Sequence, residues 1–348
     1  METSYFLGAN SARGFCSLYE GFGSARGAYL SIIKGGPGTG KSGLMRAIGR
    51  EAVHRGYDVE YVLCSGDPDS LDGLLIPALG RAWCDGTAPH VSEPAAFGVD
   101  GEYLNVGQFC RTPLPEAERQ RVLSLSGAYK GRYAHAYALL AAARETERAL
   151  SPAPCSPVEQ ERAGEVLRAL CGRLAPPQLE KGVLLRRFAG AISCRGVLRL
   201  SESFERCKLI YCCEDGCGLA GGALRMLRDE ALGRTALVIE YLSPLDASTI
   251  DALLLPVLSA VFVRGSLAVP HARRIALDRL AGDLESVKQR RREKRAARRE
   301  AERYIQAACG ALSEAKALHD ELEAVYKPFM DYAALDAFTA REIRRVFA

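Results

Sequence analysis

The sequence predicts an α/β fold with two tandem domains. Each domain is expected to have a mostly parallel sheet in a three-layer arrangement and an appended helical hairpin. Two observations lead to this prediction. First, residues 29–52 combine an apolar run, a glycine-rich loop and a helical pattern, which is typical of a strand–loop–helix unit. Second, the chain is similar to itself at a spacing of about 180 residues, which indicates an internal duplication.

The duplication is visible in three pairs of segments that keep nearly the same spacing. Two longer pairs share six of nine and five of ten residues, and the third pairs APH with VPH. Three anchors at one spacing predict a tandem repeat. We therefore place the first copy at residues 1–185 and the second at residues 186–348. The paired segments are residues 6–14 with 188–196, residues 70–79 with 249–258, and the tripeptides ending at His90 and His271.

A phosphate-binding loop is predicted in the first copy. The segment KGGPGTGKS fits G-x-x-x-x-G-K-[ST], follows the apolar run 29–33 and precedes apolar residues at helical spacing. Glycines let successive backbone N–H groups turn toward one anion, and the positive N-terminal end of a helix faces the same point. The lysine of the motif can reach the β- and γ-phosphates, and its serine can hold Mg²⁺. The predicted binding residues are Gly35, Gly36, Pro37, Gly38, Thr39, Gly40, Lys41, Ser42 and Gly43.

The second copy carries an altered form of this loop, CEDGCGLAGG, at residues 213–222. Lys41 falls opposite Ala220 or Gly221, and neither residue has an ammonium group. Glu214 and Asp215 also bring negative charge to the place where phosphates would lie. We therefore expect the second copy to keep the fold and to have lost the nucleotide.

These motifs resemble those of P-loop NTPases. More narrowly, the chain resembles a group of bacterial tandem P-loop proteins that are labelled only as ATPases or as nucleotide kinase-related. The resemblance covers nearly the whole chain and rests on GANSARGF, KGGPGTGKS, GYDVEYVLCSGDPDSLDGLLIPAL and DGTAPH. It implies ATP binding and a doubly wound α/β core. In that group the second copy often keeps its own phosphate loop, and this sequence departs from that pattern.

A P-loop enzyme needs a carboxylate at the end of a buried strand to hold Mg²⁺. Residues 59–64 form one predicted strand, which runs into Asp67 and Asp69. Residues 82–84 lead directly into Asp85. Both groups would lie at the carboxyl edge of the sheet, where open α/β folds bind their ligands. We favour Asp85 as the magnesium-side residue, with a simple turn acid as the alternative.

Comparison of the two copies distinguishes acids with a structural role from acids with a catalytic role. Asp85 falls opposite Arg264, so this acid is lost together with the lysine. Asp67 and Asp72 both have aspartates opposite them, and we expect Asp72 to cap a helix that begins near Leu71. Asp67 or its neighbour Asp69 would accept a proton from a substrate hydroxyl if the protein is a kinase. The alternative is that GDPDS forms an Asx/Pro turn.

Helices are predicted after each core. In the first copy they cover residues 116–174 with a break at residues 151–157, and in the second copy about residues 277–346. Residues 86–115 have no sustained period and predict a long surface excursion. Lys130 and Arg132 are candidates for a lid over phosphates, although a solvated helix face is the commoner case for such charges.

The segment KQRRREKRAARREAER at residues 288–303 has nine basic and three acidic residues. This density would suit nucleic-acid phosphates. The segment lies within a helical pattern without interleaved aromatic residues, which favours an exposed helix surface over a nucleic-acid site.

The composition predicts a cytosolic globular protein. At 348 residues, 48% hydrophobic and 25% charged, the chain has room for two ordinary domains. It has no apolar run near the roughly 18 residues of a membrane span and no signal-peptide pattern at residues 1–15, so no membrane partner is expected. The twelve scattered cysteines fit a reducing compartment, and a net charge of +4 implies no polyanionic partner.

Three functions follow from these motifs. The candidate catalytic residues are Lys41, Asp85 and Asp67. The first function is a Mg²⁺-dependent ATPase that acts through the first domain and depends on Lys41, with a structural or regulatory second domain. The second is a kinase for a nucleotide or another small molecule. The third is a nucleotide-binding switch that releases no phosphate. No glutamate follows Asp85 to activate water for hydrolysis, so the kinase stays an alternative to the ATPase.

Overall fold

The computed structural model describes residues 1–87, 93–265, 267 and 269–348. His90, which ends the first APH tripeptide, lies outside these residues. The first half contains eight strands and three α-helices in the described residues. These are β1 Glu2–Tyr5, β2 Gly8–Ser11, β3 Gly14–Ser17, β4 Tyr29–Lys34, α1 Lys41–His54, β5 Val59–Leu63, β6 Leu71–Ile76, β7 Arg81–Asp85, β8 Gly101–Asn105, α2 Glu116–Leu150 and α3 Pro157–Leu174.

The second half repeats the order of strands, adds one short helix after its third strand and, like the first half, ends in two helices. Its elements are β9 Val183–Phe188, β10 Gly190–Ser193, β11 Gly196–Arg199, α4 Glu202–Glu205, β12 Leu209–Cys213, α5 Ala220–Leu232, β13 Leu237–Leu242, β14 Ile250–Leu255, β15 Ala260–Arg264, β16 Arg273–Ile275, α6 Leu284–Tyr326 and α7 Tyr332–Phe347.

Each half forms a six-stranded mixed sheet, and the two sheets have matching strand orders. The first is β1-β5-β6-β7-β4-β8 and the second is β9-β13-β14-β15-β12-β16. In each sheet three of the five pairings are parallel, and the third strand runs antiparallel to both neighbours. The α/β class and the mostly parallel sheets are therefore as the sequence predicted.

The layers differ from the predicted three-layer order. Helix α1 covers one face of the first sheet, and α5 covers one face of the second. The opposite faces of the two sheets belong to one apolar cluster, which includes Ile32 and Cys84 from the first sheet and Ile239 and Val261 from the second. The residues alternate along the strands, so Ile33 and Trp83 face α1 instead. Each sheet thus turns its second face toward the other half and not toward a second helical layer.

The two halves meet through contacts between equivalent residues. Phe6 and Phe188, which match each other in the repeat, exchange two backbone hydrogen bonds with N–O distances of 3.0 and 2.9 Å. Asn10 donates a hydrogen bond of 2.8 Å from its side-chain nitrogen to the carbonyl oxygen of Ile192, which is its own counterpart. Contacts between equivalent positions are the mark of a two-fold arrangement.

The long helices are exchanged between the halves. Helix α2 lies along α6, α3 lies on α5, and α7 lies on α1. Within the described residues the two helices of each half therefore do not form the predicted hairpin. Gly164 of α3 shows how closely α3 approaches α5, because a Cβ atom there would lie 2.1 Å from the Sδ atom of Met226. None of the helices in the described ranges is both long enough and apolar enough to cross a membrane.

One local prediction was wrong and a second was incomplete. The helix expected near Leu71 is strand β6, which is buried along its whole length between β5 and β7. Pairing with two neighbouring strands buries its apolar residues. This tertiary pairing outweighs the helix that the turn-like start of the segment had predicted. The excursion expected at residues 86–115 has residues 88–92 outside the described ranges, is largely exposed at residues 93–100 and also contains β8, an edge strand that pairs with β4.

A buried ion pair joins the two sheets. Arg187 of β9 is 5% exposed, and its Nη2 atom lies 2.7 Å from Oε2 of Glu60 on β5. Its guanidinium group also lies 3.7 Å from the ring centroid of Tyr5. Burial raises the pKa of Glu60, but the charges of Arg187 and Arg26 outweigh this effect, so its pKa lies below the ordinary value.

We predict that Arg187→Met lowers the free energy of unfolding by about 3 to 5 kcal/mol, because it leaves the Glu60 carboxylate buried without its main partner. Denaturant titration measures this change. The matched control is Arg121→Met on the exposed side of α2, for which we expect a change within about 0.5 kcal/mol. Equal effects of the two substitutions would contradict the prediction.

Candidate functional site

The glycine-rich loop connects β4 to α1 at the carboxyl end of β4. Gly38 and Gly40 have φ values of 68° and 86°, a region that glycine adopts without strain. A Cβ atom at Gly35 would lie 2.5 Å from Oγ1 of Thr39, and one at Gly40 would lie 2.6 Å from Cδ2 of Leu335. The glycines at these positions of the motif are therefore required by the backbone and by its neighbours. Helix α1 begins at Lys41, as the sequence predicted.

Lys41 lies over the loop and faces Asp85. Its amino group donates hydrogen bonds of 3.0 and 2.8 Å to the carbonyl oxygens of Gly35 and Gly36. Its Nζ atom also lies 3.6 Å from Oδ2 of Asp85. Asp85 ends β7, and the parallel pairing of β4 with β7 places Ile33 beside it. The predicted lysine and the favoured carboxylate are thus neighbours at one edge of the sheet.

Asp85 also stabilises the turn that follows it. Its Oδ1 atom accepts hydrogen bonds from the backbone N–H of Thr87 at 2.9 Å and from the Thr87 hydroxyl at 2.6 Å. Because these bonds use Oδ1 and Lys41 faces Oδ2, the carboxylate has both a turn-forming side and a side turned toward the loop.

Asp72 is a site residue that the sequence reasoning missed. The antiparallel register pairs Gly73 with Cys84, and Asp72 on β6 and Asp85 on β7 each come one residue beyond this pair. Asp72 is 4% exposed and accepts a hydrogen bond of 3.3 Å from the Tyr19 hydroxyl. It begins no helix, and the helix-capping role expected for it is wrong. Its position beyond the Gly73–Cys84 pair, on the strand next to that of Asp85, became clear only from the strand register.

A cavity of about 580 Å³ opens over the loop. It brings together the loop residues 35–43 with Asp67, Asp69, Asp72 and Asp85, and it is closed on the other side by helices α2 and α6. The helices contribute polar and aromatic side chains, of which the sequence had indicated Lys130 alone; the others belong to no motif. These side chains are Ser126, Tyr129, Lys130, Tyr133, Lys316, His319 and Glu323.

The end of α6 lies against the glycine-rich loop. A Cβ atom at Gly38 would lie 3.2 Å from Cβ of Glu323, and one at Gly36 would lie 4.0 Å from the Tyr326 ring. His319 lies one turn before Glu323, with 3.7 Å between its Nδ1 atom and a carboxylate oxygen of Glu323. Burial lowers the pKa of His319, which favours the neutral imidazole.

The remaining predicted residues have separate positions. Lys130 of α2 lines the cavity, as a lid residue would, whereas Arg132 pairs with Glu314 of α6 at 3.0 Å. Asp67 lies 3.5 Å from the amino group of Lys316 and also accepts a 3.3 Å hydrogen bond from the backbone N–H of Asp69. Asp69 forms an exposed ion pair with Arg195 from the second half. The GDPDS segment is thus a turn, but it leads into strand β6.

The second half has a different arrangement at the equivalent place. Helix α5 begins at Ala220, and Ala223 donates to Leu219 as Leu44 donates to Gly40 in the first half. This correspondence places Ala220 where the first half has Lys41. The Nε atom of Arg264 lies 3.5 Å from Oδ1 of Asp251, and these two residues correspond in the repeat to Asp85 and Asp72. Where the first half has two acids at these positions, the second half has an acid and an arginine.

The basic segment at residues 288–303 is partly used inside the protein. Arg291 pairs with Glu214 at 2.9 Å and with Asp278 at 2.7 Å. Two further basic residues of α6, Lys294 and Arg298, pair with Asp215. These ion pairs account for part of the basic density without an external polyanion.

The chain matches no protein-family model, no curated protein and no solved structure. A functional proposal therefore rests on the loop, the acids and the cavity described above.

We predict that Gly40→Ala lowers the free energy of unfolding by about 1 to 3 kcal/mol, because the added methyl group meets Leu335 and the positive φ is strained. Gly43→Ala is the matched control, since no atom lies within 4 Å of its added Cβ and the residue is exposed on α1. We expect it to stabilise the protein by about 0.5 to 1 kcal/mol. Chemical denaturation measures both, and the same sign for both would contradict the prediction.

Proposed function

We propose that the first domain binds ATP, or another nucleoside triphosphate, with Mg²⁺ and hydrolyses its terminal phosphate bond. The observation that carries this proposal is the placement of Lys41. It starts a helix directly after a loop with left-handed glycines, and its amino group lies 3.6 Å from Asp85 on the adjacent parallel strand. The second half provides the closing helix α6 and serves as a structural or regulatory partner.

The loop suits a phosphate group on chemical grounds. Its backbone turns at Gly38 and Gly40 and leads into the N-terminal end of α1, where free N–H groups and the helix dipole favour an anion. Among the described residues, the ammonium group of Lys41 bonds to two carbonyl oxygens of the loop and contacts Asp85. Phosphate oxygens would be stronger acceptors for it than these carbonyls.

The donor set near the loop suits Mg²⁺. Ser42 accepts a hydrogen bond of 3.0 Å at Oγ from the backbone N–H of Leu71, so its hydroxyl lies beside the start of β6 and next to Asp72. Ser42, Asp72 and Asp85 all line the cavity and all offer oxygen ligands, which Mg²⁺ prefers. When bound, the ion would neutralise charge on the phosphates. Asp85 and Asp72 would position it, and Lys41 would hold the phosphate oxygens.

A kinase is the second candidate, and the extent of the cavity favours it. The cavity continues from the loop to Asp67, Tyr129 and Lys130, which leaves room for a phosphoryl acceptor beside the triphosphate. Asp67 would then accept the proton of the acceptor hydroxyl. In this case ADP release would depend on an added metabolite, whereas an ATPase would release ADP without one.

We expect Lys41→Ala to lower ADP release from Mg-ATP by about 100- to 1,000-fold, because it removes a positive charge from the transferred phosphate. The measurement is ADP formation by purified protein, with and without a pool of metabolites. The exposed Lys181→Ala variant is the control and should keep the wild-type rate. Tight ATP binding by the wild type with no ADP under either condition would eliminate both enzyme functions and leave the nucleotide-binding switch.

We also expect Asp85→Asn to raise the Mg²⁺ concentration needed for half-maximal turnover by about tenfold or more, since it removes one anionic oxygen donor. Asp72→Asn should act in the same direction. Titration of Mg²⁺ at a fixed ATP concentration measures the shift. Asp336→Asn on the exposed side of α7 is the control, and an unchanged Mg²⁺ dependence in Asp85→Asn would remove this residue from the metal site.

A further inference from the structure

The degenerate loop of the second half already holds an anion of its own. Asp215 follows β12 and lies in the loop that precedes α5. Its Oδ1 atom accepts a hydrogen bond of 3.3 Å from the backbone N–H of Ala220, the first residue of α5. This N–H belongs to the helix terminus that, in the first half, is proposed to face a phosphate. The Asp215 carboxylate therefore takes the place of an external anion at this helix end.

Three cations surround the other oxygen of the same carboxylate. Oδ2 of Asp215 lies 3.0 Å from Nζ of Lys294, 3.1 Å from Nη2 of Arg298 and 3.4 Å from Nε of Arg264. Lys294 also donates a 2.8 Å hydrogen bond to the backbone carbonyl of Asp215, as Lys41 does to the carbonyls of its own loop. A lysine, two arginines and a helix N-terminus on one anion form a set of donors suited to a phosphate group.

The electrostatic surroundings keep this carboxylate ionised. Asp215 is 6% exposed, and burial alone would raise its pKa. Arg264 and Lys294 outweigh that effect, and the pKa of Asp215 lies below its ordinary value. The acids facing the same cations are Asp251, 3.5 Å from Arg264, and Glu147 of α2, 3.7 Å from Arg298. Three carboxylates thus face three cationic side chains. Removal of Asp215 would leave an excess positive charge in a buried place.

A second carboxylate binds the preceding part of the loop. Asp278 accepts hydrogen bonds from the backbone N–H groups of Gly216 at 3.1 Å and of Cys217 at 2.9 Å. Arg291 of α6 donates to the same carboxylate at 2.7 Å. Backbone N–H groups that a phosphate loop directs to its ligand are therefore satisfied by internal acids here.

We propose that Asp215 is an internal substitute for a phosphate group, and that without its side chain this loop binds inorganic phosphate or pyrophosphate. The second half is then an anion site whose occupant is part of the chain. The Asp215 carboxylate holds α6 in place through its ion pairs with Lys294 and Arg298. From there α6 extends to the phosphate loop of the first half.

The test uses the full chain with Lys41→Ala as background, so that the loop of the first half does not report on phosphate. In this background Asp215→Ala should lower Tm, because three cations lose their shared partner. Inorganic phosphate or pyrophosphate should then raise Tm by about 2 °C or more over sodium chloride of equal ionic strength. The outcome is independent of whether the first half hydrolyses ATP.

Asp215→Asn in the same background is the matched control. The amide fills the space of the carboxylate and leaves no room for a phosphate, so Tm should fall without a specific response to phosphate. An equal response of the alanine and asparagine variants, or none in either, would overturn the proposal. If Asp215→Ala yields no folded protein in chloride, recovery of folded protein in phosphate supports the proposal, and failure in both buffers contradicts it.

Discussion

The two halves hold together through contacts between equivalent positions. Phe6 pairs with Phe188, and Asn10 bonds to the backbone of its counterpart Ile192. A contact of this kind is self-complementary, as in a symmetric dimer, so one set of residues fixes both sides of the interface. The faces of the sheets that meet here share one apolar cluster. Without this interface each sheet would expose an apolar face to water.

The exchange of helices follows from the same arrangement. Since α2 and α6 lie along each other, each of them extends from one half to the site of the other. Helix α6 contacts the loop before α5 through Lys294 and the glycine-rich loop of the first half through Glu323, about eight turns further along. Helix α2 contributes Lys130 near the first loop and pairs through Arg144 with Asp246 in the second half. The cavity at the glycine-rich loop of the first half is therefore lined in part by the second half.

Sequence reasoning identified what local chemistry determines. The strand–loop–helix unit at Lys41 and the strand ending at Asp85 were predictable, because motif residues and apolar runs carry their own signals. Asp72 was not predicted as a site residue, because its position depends on the register of two strands. His319 and Lys316 were missed for another reason: a helix from the second half brings them to the first loop, and a single sequence has no local signal for this contact. The three-layer order failed likewise, because periodicity shows that a face is apolar without showing what covers it.

The covalent connection between the halves has a consequence for how this protein can change over time. In a dimer of identical chains, replacing the lysine of the loop by alanine would alter both sites at once. Here the corresponding positions, Lys41 and Ala220, belong to separate codons of one gene. The interface preserves the symmetry of the scaffold, while each site can acquire substitutions on its own. One half is thereby free to give up ligand binding and to support the other.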